Sequence, residues 1–543
     1  MIADLIVTGG QVWSPEPGPA TAVAVSGDRI AAVGTDAEIR ELAGRRTEIV
    51  DAGGGAILPG FHDGHIHALG GGLALLGCDL SSVHSREAYL AVIREFAAAE
   101  SGEWIVGSGW FGDVFDGGLP DRRLLDDVIG SRPAVLTSHD AHGVWVSSRA
   151  LELAGIDRDT PDPAAGRIVR DESGEATGVL MDSAGELVTS LLPEPDLARQ
   201  RDGMLAAQEH LLSLGVTAWH DALLGRYLAM QDPLPAYLSL RAEGLLTARV
   251  SGSVWWPPGW GADRLPDVIA RIATARADGF PITGVKIMQD GICENCTAAL
   301  LAPYQGVHPE TSGDSVIPPA ELASIVTALD AAGERVHFHG VGDRAVRECL
   351  DAVAAARAAN GRGQRHQIAH LDLVDPADLP RFRALDVTAN LQPLWARADQ
   401  EILERKLPLL GPERARWHFP FGSLRAHDAH LAMGSDWPVT SPDPLWGLHT
   451  AVTRTAPPQD VHAVDPAAHR TMQPEERLDP ADAVRAYTLG PAEAIGVDDR
   501  IGRLHPGHLA DLAVLTTGIT GRDSFAEARV AATVLGGKVV HSA

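Results

Sequence analysis

His65, His67, Lys286, His339, His370 and Asp436 are side chains of types that could act together on one substrate, although they are spread over most of the chain. His65 and His67 stand two apart in LPGFHDGHIHALGGG. Residues i and i+2 of a strand point to the same side, so both imidazoles can reach one metal ion. The glycines that follow let the chain turn away sharply. The other four sit at the ends of apolar runs: Lys286 in GVKIMQDG, His339 in RVHFHGVGD, His370 in RHQIAHLD and Asp436 in LAMGSDWPV. Imidazoles, one lysine and one carboxylate brought together are what a two-metal hydrolytic centre requires. His337 shares a face with His339 by alternation and is expected behind it, and His62 is expected to point elsewhere.

Residues this far apart meet only if the elements carrying them converge. Candidate strands end at Gly60–His67, Val216–Asp221, Val250–Trp255, Val285–Gly291, Val336–His339, Gln367–His370, Val387–Gln392 and Leu431–Asp436. Helical patterns such as PPAELASIVTALDAAG and PADLPRFRALD fall between most of them and open with Pro. Alternating strands and helices in this number fit an α/β fold, a TIM-like (β/α)8 barrel, whose strand ends share one pocket. The interval between the first two strands is far longer than a βα loop needs. It is expected to be an insertion subdomain over 72–210 covering the barrel mouth, with strands at WIVGSGW and AVLTSHD and a helix at RALELAGI. Short alternating runs at both termini (ADLIVTGGQVW and TAVAVSGDRIAAVG at the start, DLAVLTTG and RVAATVLGGKVVHS at the end) predict a small β-sandwich domain from 1–55 and 475–543. The barrel would then occupy 56–474.

Composition narrows the function. With 45 Lys and Arg against 72 Asp and Glu, the formal charge is −27. Such a surface repels phosphate backbones and anionic membranes, so neither nucleic acid nor membrane is an expected partner. No apolar run is long enough to span a bilayer, and MIADLIVTGG lacks a basic leader. The four cysteines are too few for a disulfide framework and fit a reducing cytoplasm. Cys293 and Cys296 form a CxxC with no second pair at zinc-ribbon spacing, which favours packing over metal binding. No HExxH motif of the zinc peptidases is present.

The motifs in order (the HxH segment, WIVGSGW, HDAHGVWVSSRAL, GEATGVLMD, VKIMQDGICENCTAALLAPY, VHFHGVGDRAV, NLQP, GSDWPVTSPDPL, AVTR and GRLHPGHLADLAVL) run over nearly the whole chain. They resemble the amidohydrolase superfamily, and within it the amidohydrolase 3, YtcJ-like branch that includes N-substituted formamide deformylases. One departure is Ala369, where relatives often carry an acidic residue. The resemblance implies that His65, His67 and Asp436 hold one metal and His339 and His370 another. Lys286 would bridge them as an N-carboxylated lysine. An ammonium has no lone pair, whereas its carbamate offers two oxygens. Zinc is the expected cofactor, as one or two ions. Asp436 would take a proton from a metal-activated water and pass it to the leaving nitrogen, with His142 or His139 helping at the developing oxyanion.

The expected partner is a small-molecule amide, with a homodimer as a candidate assembly. Trp110, His139, His220 and Asp290 are the substrate-contact candidates. Hydrolysis of a linear, non-peptide amide such as an N-substituted formamide is the leading reading. A cyclic amide, carbamate or ester hydrolase, a deaminase, or an inactive metal-binding relative are the alternatives.

Overall fold

The computed structural model describes residues 2–13, 18–115, 118–139, 143–163, 166–227, 230–306, 309–399 and 401–543. They form two compact units. One comprises 68–207 with 228–231, and the other comprises 1–67, 208–227 and 232–543.

The larger unit contains eight parallel strands: β1 (Phe61–Ile66), β2 (Val216–Leu224), β3 (Arg249–Trp255), β4 (Ile282–Met288), β5 (Val336–Gly340), β6 (Gln367–His370), β7 (Thr388–Leu391) and β8 (His430–Met433). They pair in sequence order. β1, β2, β5, β6 and β7 are buried at every residue. That is the condition of a parallel sheet covered on both faces. The ring closes just beyond the ends of its first and last strands. Asp436 N–H donates to the His65 carbonyl over 2.8 Å, and His67 N–H donates to the Trp437 carbonyl over 2.9 Å. This is a TIM-like barrel, and helices such as Pro319–Ala331, Asp343–Asn360 and Leu379–Leu385 separate its strands along the chain.

The same unit holds two further sheets. Strands Leu5–Thr8, Ala22–Ser26, Arg29–Gly34 and Glu48–Asp51 make one. Gln11–Val12, Ala56–Pro59, Leu512–Leu515, Val530–Leu535 and Lys538–Ser542 make the other. Leu5, Val7, Val23 and Val25 of the first share one buried cluster with Ile57, Leu512, Val514 and Val534 of the second. Alternation along each strand supplies these inward residues, and each buried Val or Leu contributes about 1.5–3 kcal/mol. Within 475–543 the strands begin only at Leu512. Before them lie helices Pro480–Ala486 and Leu489–Ile495, which stand against the barrel: Tyr487 O accepts from His62 N–H over 2.9 Å.

In the smaller unit a sheet runs in the order Gly166–Arg170, Ala176–Asp182, Gly143–Val146, Ala134–Ser138, Ile105–Trp110, Cys78–Asp79. It includes the two strands expected at WIVGSGW and AVLTSHD, and the helix expected at RALELAGI spans Ser148–Ala154. Among the described residues no helix is long and apolar enough to cross a membrane.

Candidate metal centre

The C-terminal ends of β1, β4, β5, β6 and the segment after β8 carry the six residues singled out by their types. Strand register determines which of them meet. Lys286 lies opposite His337 across the β4–β5 pair, and Gly340 lies opposite His370 across β5–β6. His65 Nε2 is 3.4 Å and His67 Nε2 3.2 Å from Asp436 Oδ1. One ligand atom from each of these three residues falls within 4.8 Å of the others. His370 Nδ1 stands 3.9 Å from Asp436 Oδ2. The His370 ring centroid is 4.9 Å from that of His65 and 4.3 Å from that of His339. The structure thus brings His65, His67 and Asp436 tightly together, with His370 and His339 alongside.

Burial decides the charge state of the site. His65, His337 and His370 are held well below the ordinary imidazole value, and His339 is lowered to about 3, first by burial and then by the nearby Lys286 and other imidazoles. These rings are neutral, so their nitrogens carry lone pairs. Burial also lowers Lys286 to about 8, against an opposing pull from Asp436.

Backbone strain concentrates here. His370 has φ +80°, Leu371 φ +54° and Asp436 φ +57°, in the left-handed region that favours glycine. The surrounding hydrogen bonds hold this backbone in place. Gln392 Oε1 accepts from His370 N–H over 2.9 Å. Gln392 Nε2 donates to Asn390 Oδ1 over 3.2 Å, and Asn390 Nδ2 donates to the Gly64 carbonyl over 2.9 Å. Asp63 Oδ1 accepts from the N–H groups of His65 (3.1 Å) and Ser435 (3.0 Å), joining β1 to the turn before Asp436. Trp395 stacks on His370 at 5.3 Å with 5° between the rings. The NLQP motif contains Asn390 and Gln392, yet nothing in its spacing announces these contacts.

The substrate-contact candidates fare differently. Asp290 is buried, and its carboxylate accepts from the N–H groups of Ala299 (3.0 Å), Val341 (3.0 Å) and Gly342 (2.8 Å). It ties the ends of β4 and β5 together, and its Oδ1 lies 3.8 Å from His339 Nε2. His220 is buried, with Nδ1 3.0 Å from Ser251 Oγ and Nε2 2.9 Å from Ser253 Oγ, so both nitrogens are engaged inside the barrel. Trp110 is 3% exposed and spends its indole N–H on the Leu136 carbonyl at 2.7 Å, within the apolar cluster of the smaller unit. The His139 ring stacks on Phe111 at 3.7 Å. His142 lies outside the described residues.

Cys293 is fully buried in a cluster with Leu300, Tyr304 and Leu410, as packing predicts. An unforeseen neighbour is Lys406, a buried ammonium 2.6 Å from Asp372 Oδ2 and 2.8 Å from Glu294 Oε1.

A (β/α)8 barrel that gathers neutral imidazoles, a carboxylate and a buried lysine at the C-terminal ends of its strands defines a class of barrel hydrolases. Residues 48–541 match the amidohydrolase family. The protein LONG AFTER FAR-RED 3 of Arabidopsis thaliana is 33% identical over 100% of this chain and 92% of its own length. The putative amidohydrolase YtcJ of Bacillus subtilis is 29% identical and the N-substituted formamide deformylase of Arthrobacter pascens 25% identical, each over 91% of this chain and 90% of its own. A crystal structure of an uncharacterized metal-dependent hydrolase from Pyrococcus furiosus superposes with TM-score 0.69 at 27% identity, covering 93% of this chain and 97% of that one. The chain belongs to the amidohydrolase family, enzymes that hydrolyse carbon–nitrogen bonds.

Proposed function

We propose that the protein is a metal-dependent hydrolase of linear, non-peptide amides, with N-substituted formamides as the leading substrate class. One observation carries the metal: Asp436 Oδ1 is buried without a hydrogen-bond partner among the described residues, although two imidazole nitrogens face it. Neutral imidazoles and a carboxylate that converge without satisfying one another are a donor set for a cation. Zinc fits these nitrogen and oxygen donors. His65, His67 and Asp436 would hold one ion, with His339 and His370 available for a second. A bound zinc supplies Lewis acidity and lowers the pKa of a water from ~15.7 to about 7.

The residues of the chain do the rest. His339 Nε2–H donates to the Gly291 carbonyl over 3.2 Å, which leaves its Nδ1 lone pair free for the site. Lys286, lowered to about 8, presents more neutral amine near neutral pH than an exposed lysine does. That is the form that adds CO2 to give a carbamate, and we propose that Lys286 is N-carboxylated. Asp436 would take the proton of the attacking water and deliver it to the departing nitrogen as the C–N bond breaks, releasing a carboxylic acid and an amine. The likeness to the Arthrobacter pascens deformylase supports formamides.

The test is a panel of N-substituted formamides, acetamides, cyclic amides and esters incubated with zinc-reconstituted protein. Amine and formate in equal amounts from the formamides is the expected result. Turnover of the esters alone would overturn the reading.

A further inference from the structure

Barrel interiors are ordinarily filled with layers of Val, Ile and Leu. This one contains His62, His220 and His337, each no more than 2% exposed. Of these, His337 reaches the site: its Nε2 lies 2.9 Å from His65 Nδ1. The two rings stand 4.7 Å apart at 80°, an edge-on approach suited to a hydrogen bond in the ring plane. On its other side His337 stacks on His220 at 5.4 Å and 24°. His220 is pinned in turn by Ser251 and Ser253. His337 is therefore packed between His220 and His65.

A hydrogen bond between two neutral imidazoles needs an N–H on one and a lone pair on the other. His65 Nε2 faces Asp436 and His67, so to ligate a cation it must be bare. The proton of His65 then sits on Nδ1, and His337 Nε2 must accept it. We infer that His337 is a positioning residue: it sets the tautomer and ring orientation of His65 so that Nε2 points into the metal centre. The inference rests on the metal-dependent reading given above. Ligating histidines more often donate to a carboxylate, a backbone carbonyl or water. A neutral imidazole performs the same orientation without adding negative charge to the barrel interior.

Two variants of the full chain test this. His337→Leu keeps the bulk but removes the acceptor, and His337→Gln restores an acceptor of similar reach. Zinc affinity is measured by competition with a chromophoric chelator, with thermal unfolding to confirm folding. The tautomer of His65 is read from ¹⁵N chemical shifts of the imidazoles in metal-free protein. His337→Leu is expected to bind zinc about 10–100-fold more weakly and to lose the Nδ1–H signature of His65. His337→Gln is expected to restore both to near the parent values. Parent-like zinc affinity in folded His337→Leu, equal losses in both variants, or a parent His65 protonated on Nε2 would overturn the inference. If the parent shows the Nδ1–H tautomer but takes up no zinc, the metal reading fails while the orienting bond stands.

Discussion

Asp436 N–H donates to the His65 carbonyl over 2.8 Å, so the backbone bond that closes the barrel also joins two residues whose side chains face one another at 3.4 Å. Closure of the ring and assembly of the site draw on the same two residues. Asp63 reinforces it by accepting from His65 and Ser435 on the two sides of the seam.

Gly434 is where this seam is most sensitive. A Cβ there would lie 2.4 Å from His65 N and 2.9 Å from Asp63 Oδ1, one a backbone atom and the other a side chain fixed by three contacts. Gly434→Ala should therefore lower stability by about 1–3 kcal/mol and reduce zinc content, measured by denaturant unfolding and metal analysis. A variant as stable as the parent with full metal content would show that the seam tolerates the methyl group.

Asp436→Asn keeps the shape of the side chain but removes the proton acceptor. Turnover should fall by about 10²–10⁴-fold while the thermal midpoint stays near that of the parent. A loss of less than tenfold at unchanged metal content would remove Asp436 from the proton transfer.

Lys406 holds Asp372 and Glu294 in the interior. Lys406→Met should cost about 3–5 kcal/mol, since it leaves the buried Asp372 and the half-buried Glu294 without their cation. Denaturant midpoints measure it. A cost below about 1 kcal/mol would mean that water reaches these groups.

Away from the centre, Asp330 is opposed by burial, which alone would raise its pKa. Hydrogen bonds from His366, Asn360 and Gln364 outweigh this and hold it below its ordinary 3.8. A depressed carboxylate stabilises the fold above its unfolded value, and the contribution is lost as pH falls through the folded one. Stability should drop as pH falls below about 4, and Asp330→Asn should flatten part of that slope in unfolding curves taken from about pH 3 to 7. An unchanged slope would assign the acid sensitivity to other groups.

Much of this was legible in the residues. The eight strands were visible because both faces of a parallel sheet are buried, and His65–His67 declared itself because a strand's period is two. What escaped was whatever depended on register between distant strands. Nothing in GVKIMQDG tells that Asp290 is consumed by the backbone of Val341 and Gly342. Nothing in NLQP tells that Gln392 secures the strained His370. Within 475–543, the stretch 480–495 folds as helices against the barrel, and helix or strand patterning alone does not say which body an element joins.

The central claim is that His65, His67 and Asp436 bind a metal on which catalysis depends. Anomalous diffraction at the zinc edge from crystals of zinc-reconstituted protein tests it most directly. The account predicts a strong peak within bonding distance of His65 Nε2, His67 Nε2 and Asp436, and loss of activity when chelation removes it. Crystals with no peak there, from protein that stays fully active after exhaustive chelation, would contradict it.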